Sequence, residues 1–225
     1  MYNDLMPDTS YAIRICESCG LRYPLMQGHP FGTRCPACMG ETRVALSRRL
    51  AAGPEPESHR GAARKEERRK RVAALLDNVR SAWNAGSILR SADGFGFTHV
   101  YLCGITPTGD NEAVVKTSLG AEDSVPWSYH KDALKLVKGL KAEGWKVYAL
   151  EEDPRSLPIS QFTNSRLPEP AVLIVGNEVT GVDPELLDLC DKIFYIPMLG
   201  EKKSFNVAIA FGIAAYALDA QQSKT

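Results

Sequence analysis

Lys192-Ile193-Phe194-Tyr195-Ile196-Pro197-Met198-Leu199-Gly200-Glu201-Lys202-Lys203-Ser204-Phe205-Asn206-Val207-Ala208 reads as a strand, a loop and the opening turn of a helix. The β-type run 192–196 looks buried, and Pro197, which has no amide proton, stops it. A polar loop with Gly200 follows. Ser204 is a residue type that caps helix N-termini through its side-chain oxygen. From Phe205 to Leu218 the helix is apolar around most of its circumference, with Ala208, Ala210, Gly212, Ala214 and Ala215 keeping parts of it flat. A helix of that kind must be covered on more than one side, and small residues let another helix come close. Alone, the stretch is a strand-to-helix connection punctuated by Pro and Gly. The unpaired N–H groups of a helix start also make such a loop a natural holder for a polar or anionic ligand.

The same alternation extends back to Val72. Strands are expected at Val72–Leu76, Val100–Cys103, Val125–Tyr129, Lys146–Leu150, Ala171–Val175 and Ile193–Ile196. Helices are expected near Ala85–Phe95, Glu112–Ser118, Lys131–Glu143, Pro184–Cys190 and Ser204–Ala220. Short apolar strands interleaved with amphipathic helices predict an α/β fold, a mostly parallel sheet covered by helices on both faces. Ligands on such sheets sit beyond the carboxyl ends of the strands.

The first seventy residues have a different character. Cys16-Glu17-Ser18-Cys19 and Cys35-Pro36-Ala37-Cys38 are two C-x-x-C pairs separated by fifteen residues, the pattern of a four-thiolate zinc ribbon. With all four coordination positions filled by Cys16, Cys19, Cys35 and Cys38 the zinc is structural, and its binding supplies folding free energy that a module of about fifty residues cannot draw from a core. Pro, Gly and Ser followed by Arg64-Lys65-Glu66-Glu67-Arg68-Arg69-Lys70-Arg71 mark a basic linker over 51–71. A phosphate-binding stretch and a solvated helix with Glu/Arg pairs read alike there. The expected organisation is a ribbon-like module at 1–50, the linker, and the α/β domain at 72–225. Residues 1–71 carry 13 Lys+Arg against 8 Asp+Glu, so the formally neutral chain concentrates its positive charge toward the N-terminal part. No signal peptide opens the chain and its longest apolar run is too short for a membrane span, so a cytoplasmic protein is expected, without a membrane partner.

Two further loops follow strands. In Asn84-Ala85-Gly86-Ser87-Ile88-Leu89-Arg90 through Gly96, Asn84 reads as a helix cap, Gly94 and Gly96 as the helix end, and Arg90 as lying off the buried Ile88 face. In Ala171-Val172-Leu173-Ile174-Val175-Gly176-Asn177-Glu178-Val179-Thr180-Gly181, a buried strand ends in a Gly-bounded loop with one carboxylate at its tip. Each has an ordinary structural reading by itself.

Together, and in this order, Asn84-x-Gly86-x-Ile88-x-Arg90, Gly176-Asn177-Glu178-x-x-Gly181 and Ile196-Pro197-Met198-x-Gly200-x-x-x-Ser204-Phe205-Asn206 resemble the three motifs of the SpoU/TrmH-like branch of the SPOUT RNA methyltransferases. The resemblance covers about Val72 to Ala220 and leaves the ribbon outside. Two departures are visible: Ser204-Phe205-Asn206 stands where Ser-Leu-Asn is usual, and Val179-Thr180 where a Gly commonly follows the Glu. The resemblance implies methyl transfer from S-adenosylmethionine to a ribose 2′-hydroxyl of tRNA or rRNA by a homodimer whose C-terminal segment forms a trefoil knot. DNA is not an expected partner. It implies that Gly176, Ile196 and Phe205 hold the cofactor, that Met198, Leu199 and Gly200 line the adenine pocket, and that Asn84, Arg90, Glu178, Ser204 and Asn206 surround the reacting hydroxyl. A guanidinium stays protonated at ordinary pH, so Arg90 is read as a phosphate clamp that offsets developing alkoxide charge, with Glu178 as the alternative base. A non-catalytic RNA-binding protein built on a decayed methyltransferase fold is the competing reading, against which stand the intact polar residues of all three motifs. A nucleotide-binding oxidoreductase is disfavoured, because no G-x-G-x-x-G follows the first strand of the α/β region.

Overall fold

The computed structural model describes residues 10–29, 33–49, 71–164, 170–202 and 204–219. The chain divides into two compact units, Met1–Arg64 and Lys65–Thr225. The expected basic linker, apart from Arg71, and the expected helix end at Ala220 lie outside the described residues.

The first unit contains a three-stranded antiparallel sheet of β1 (Ser10–Cys16), β2 (Arg22–Met26) and β3 (Thr42–Arg49), with β1 in the centre. None of these strands was anticipated from sequence. Most of their residues are half-buried or exposed, so no clean apolar alternation marks them. The four cysteines gather at one end of the sheet, Cys16 and Cys35 buried and Cys19 and Cys38 exposed.

The second unit is built on a seven-stranded sheet. Its strands are β4 (Val72–Asp77), β5 (His99–Cys103), β6 (Trp127–His130), β7 (Lys146–Leu150), β8 (Leu157–Pro158), β9 (Ala171–Val175) and β10 (Lys192–Tyr195), in the spatial order β6-β5-β4-β9-β7-β10-β8. Every pairing in it is parallel. Strand β9 lies between β4 and β7, and all five of its residues are buried. That explains its unbroken Ala-Val-Leu-Ile-Val composition.

The helices are α1 (Ala82–Gly94), α2 (Glu112–Ser118), α3 (Ala121–Ser124), α4 (Ala133–Ala142), α5 (Pro184–Leu189) and α6 (Val207–Asp219). One core joins Ile88 and Leu89 of α1 and Phe211, Ala214 and Ala215 of α6 to Ala74, Leu76, Leu102 and Val175 of the sheet. The other joins Val137 and Leu140 of α4 and Leu186 and Leu187 of α5 to Ala73, Leu75, Val147 and Ile174. The sheet is therefore covered on both faces, as its sequence predicts. Gly86 lets α1 approach α2, because a Cβ there would stand 2.6 Å from the Val114 carbonyl.

Two helix starts differ from expectation. Helix α1 begins at Ala82 and is capped by Ser81, whose side chain accepts from the Asn84 N–H at 3.3 Å; Asn84 lies inside the first turn. Helix α6 begins at Val207, and Asn206 rather than Ser204 caps it, its Oδ1 accepting from the N–H groups of Ala208 at 2.9 Å and Ile209 at 3.4 Å. No helix among the described residues is long and apolar enough to cross a membrane.

Candidate active site

The carboxyl ends of β9, β7 and β10 open onto one cavity of about 410 Å³. Its wall includes Gly176, Glu178, Ile196, Ser204, Phe205 and Asn206 from the second and third motifs, together with Glu151 and Glu152 after β7.

Gly176 follows β9 where the chain crosses its own loop: a Cβ there would meet the Val182 nitrogen at 2.2 Å, so no other residue fits without moving backbone. Within the loop, Asn177 Oδ1 accepts from the N–H groups of Val179 at 2.9 Å and Thr180 at 3.1 Å, while its Nδ2 donates to the Asn78 carbonyl at 2.8 Å. The far side of the loop is held by Asp77, a buried carboxyl at the end of β4. Its Oδ2 accepts from the Asp183 N–H at 2.9 Å. Burial pushes the Asp77 pKa up, against the pull of that N–H. Glu151 Oε2 accepts from the Val182 N–H at 2.9 Å. A Val-Thr pair following Glu178 is thus accommodated in a loop tied down at three points.

Glu178 projects from this loop to the start of α1. Its Oε2 accepts from the Arg80 N–H at 2.9 Å, and its Oε1 from the Ser81 N–H at 3.0 Å and Asn84 Nδ2 at 2.8 Å. Partial burial works to raise its pKa, but these donors outweigh it and hold the carboxyl below its ordinary value. A carboxylate at a helix N-terminus also meets the positive end of the helix dipole. Asn206 completes the set, its Nδ2 donating to Asn84 Oδ1 at 3.0 Å. One hydrogen-bond chain, Asn206 to Asn84 to Glu178, therefore joins the three motifs. It also fixes both amides: Asn206 Oδ1 is held by the helix it caps and Asn84 Nδ2 by Glu178. Each Nδ2 keeps a second N–H that this chain does not use.

In the first unit the four cysteine Sγ atoms lie within 4.8 Å of one another, with Cys16 to Cys38 at 3.5 Å and Cys19 to Cys35 at 3.7 Å. Tetrahedral zinc–thiolate bonds of about 2.3 Å require sulfurs about 3.8 Å apart, so the donor set fits zinc. The Cys19 N–H, 3.4 Å from the Cys16 sulfur, is the largest influence bringing that thiol down to about 6, while Cys38, despite the Gly40 N–H, is pushed up to about 12 by its bond with Cys16, so the proton shared between them leaves Cys16 first.

The profile of the SpoU rRNA Methylase family matches residues 71–216. The chain belongs to that family. Over 150 residues this SpoU-family chain is 35% identical to the 23S rRNA (guanosine(2553)-2'-O)-methyltransferase RlmP of Bacillus subtilis, an alignment spanning 66% of this chain and 58% of that protein. Over 155 residues it is 32% identical to the tRNA (guanosine(18)-2'-O)-methyltransferase of Thermus thermophilus, spanning 68% and 76%. Among solved structures it is similar to an AdoMet-bound rRNA methyltransferase from Sinorhizobium meliloti, with TM-score 0.62 and 28% identity over 67% of this chain and 56% of that one. It is likewise similar to the A. aeolicus TrmH/SpoU tRNA modifying enzyme, with TM-score 0.61 and 26% identity over 72% and 84%. The chain thus spans little more than half of the B. subtilis and S. meliloti proteins.

Not every residue expected at the SpoU site is gathered there. Met198, Leu199 and Gly200 are not part of the cavity wall, and the Leu199 side chain is fully exposed. Arg90 is exposed, and its side chain makes no hydrogen bond or ion pair among the described residues. Helix geometry sets it about 9 Å along α1 and about 120° around it from Asn84. Sequence reasoning missed Glu151 and Glu152; the signal available was their place directly after β7, at the carboxyl edge where ligands of parallel sheets sit.

Proposed function

We propose that this protein transfers a methyl group from S-adenosylmethionine to a ribose 2′-hydroxyl of tRNA or rRNA. The observation that carries the reading is the Asn206–Asn84–Glu178 chain, whose two end members are on the cavity wall and which unites the polar residues of three motifs far apart in sequence. In this reading residues 1–50 are a zinc-ribbon module, 51–71 a basic linker and 72–225 the catalytic domain, knotted at its C-terminal end. The knot is supported by the path of the third motif. From β10 it must pass the carboxyl ends of β7 and β9 for Asn206 to reach α1. An RNA substrate puts the working protein in the cytoplasm.

The cavity is of a size ordinary for a small-molecule site, and Gly176, Ile196 and Phe205 are on its wall. Among the described residues no hydrogen bond is formed by the main chain of Met198, Leu199, Gly200 or Phe205. These groups are available to hold an uncharged adenine. Glu151 and Glu152 bring negative charge to a wall that suits a cationic ligand.

S-adenosylmethionine, when bound, supplies a methyl carbon on a sulfonium, a good leaving group. The residues must then align the ribose oxygen and support charge developing on it. The unused N–H groups of Asn84 and Asn206 are preorganised for that, since neither amide can rotate without breaking the chain. Ser204 adds a hydroxyl on the same wall. Glu178 is a poor base with three donors on its carboxylate, so its role is to position Asn84 and the start of α1. The hydroxyl proton passes to water at the open mouth as the O–C bond forms and the S–C bond breaks. Arg90 clamps a phosphate.

A homodimer fits the same surface. Trp83 on α1 and Ile209 and Tyr216 on α6 are 60%, 56% and 64% exposed, and seven residues' spacing puts Arg90 on the Trp83 side of α1. A second copy covering these side chains brings Arg90 to the interface. Calorimetric titration with S-adenosylmethionine tests the cofactor assignment, and absence of binding at millimolar cofactor overturns it. Sedimentation at micromolar protein tests the dimer, and a monomer overturns that part.

A further inference from the structure

We infer that one face of the ribbon's β-sheet is an RNA-binding platform, with Arg22, Arg43 and Arg48 as its phosphate contacts. The inference rests on the reading that the chain acts on RNA, and adds where in the first unit the RNA is held.

The register of the three strands defines the face. Cross-strand partners share a side of a sheet, and alternate residues along a strand do too. Tyr11, Ile13 and Ile15 of β1 stand on one side. Their partners on β2 are Met26, Pro24 and Arg22. Their partners on β3 are Arg48, Leu46 and Arg43. The face therefore consists of three rungs: Arg48–Tyr11–Met26, Leu46–Ile13–Pro24 and Arg43–Ile15–Arg22. The bulge between Ile13 and Arg14 keeps Leu46 and Arg43 on this side together, because Ala45 is the extra residue.

Charge and partnering separate this face from the opposite one. On the opposite side Arg14 is spent internally, its Nε donating to Thr42 Oγ1 at 2.6 Å and its guanidinium to the Thr42 carbonyl at 2.8 Å. Arg34, in the loop before β3, is paired with Glu41 at 3.5 Å. Arg22, Arg43 and Arg48 are exposed, and their side chains have no hydrogen bond or ion pair among the described residues. The three rungs contain no carboxylate. Three exposed guanidiniums, unpaired among the described residues, around an apolar centre complement a polyanion that also carries flat apolar surfaces. In RNA these are phosphates and unstacked bases.

Size favours a nucleic-acid strand over a protein partner. Strands about 4.8 Å apart put Arg22 and Arg43 on β-carbons about 10 Å apart across Ile15. Arg48 lies about 13 Å further along, at about 3.3 Å per residue. That footprint matches a few nucleotides. It falls far short of the roughly 800 Å² per partner that a stable protein interface buries.

The test uses the full-length, zinc-loaded protein and fluorescein-labelled oligouridylate, with bulk tRNA as a second probe. Arg22→Ala/Arg43→Ala/Arg48→Ala should weaken oligouridylate binding at least tenfold at low salt. Its plot of log affinity against log salt should be shallower by about two, at about 0.7 per single-strand phosphate contact. Arg34→Ala, which removes a paired arginine, should leave both quantities at parent values. Zinc content and the calorimetric response to S-adenosylmethionine should stay unchanged, which separates loss of this surface from failure of the methyltransferase reading. Should the triple variant not fold, each single substitution should lower the slope by about 0.7 on its own. Parent affinity and slope in the arginine variants would overturn the proposal, including the case in which the face serves a protein instead.

Discussion

Glu178 shows how a residue marked as reactive by its motif can do its work as an anchor. Its two oxygens take three donors from the start of α1, and its pKa is held down as a result. A carboxyl depressed in the folded state contributes stability above its ordinary pKa of 4.5, and that contribution is lost as pH falls through the lower folded value. Glu178→Gln should therefore cost on the order of 1 kcal/mol at neutral pH, kept small by solvent screening of an exposed group, with the difference from the parent closing on the acid side. Urea unfolding of both proteins across that range checks the sign; a difference that grows in acid contradicts it. Arg90 makes the opposite case, a side chain with no hydrogen bond or ion pair among the described residues. Arg90→Lys keeps the charge but loses the planar fork, so methylation should fall on the order of a hundredfold while cofactor affinity stays at the parent value. Single-turnover kinetics beside cofactor titration separates this from a solvated helix residue, for which neither quantity moves.

At the scale of elements, nearly every strand and helix of the second unit was legible from apolar runs and spacing, while the caps were not. Ser81 and Asn84, and again Ser204 and Asn206, are pairs of capping types within one turn's reach. Local sequence does not decide between them. Tertiary partners do: Glu178 takes the Asn84 side chain, leaving Ser81 as cap, whereas Asn206 caps α6 with its oxygen and reaches Asn84 with its nitrogen. Asn206→Asp should separate these two functions. The carboxylate keeps the cap and gains from the helix dipole but cannot donate to Asn84, so thermal stability should stay near the parent while methylation falls steeply. Asn206→Ala should lose both, with a stability cost of about 0.5–2 kcal/mol. A fully active Asn206→Asp variant would show that the Asn206–Asn84 bond has no part in the chemistry.

For the whole molecule, the sequence carried the layered parallel sheet and the four-cysteine site but not the way three loops close on one another. That closure depends on contacts between residues more than a hundred positions apart, such as Asn84 with Asn206, and no local pattern encodes them. The ribbon's sheet escaped for another reason: its strands are too short and too exposed for alternation to show, and the cysteines supply what a core would. Stripping zinc with a strong chelator should therefore unfold residues 10–49 by circular dichroism and protease sensitivity while leaving cofactor binding intact. Loss of cofactor binding on chelation would contradict two separately stabilised units. The central claim is methylation of a ribose 2′-hydroxyl. Its most direct test is to incubate the purified protein with isotope-labelled S-adenosylmethionine and tRNA or rRNA lacking ribose methylation, and to map the label by nucleoside mass spectrometry. The account predicts label on a 2′-oxygen, lost in an Asn84→Ala/Asn206→Ala variant. Label confined to a base, or none on either RNA from a protein that binds the cofactor, would contradict it.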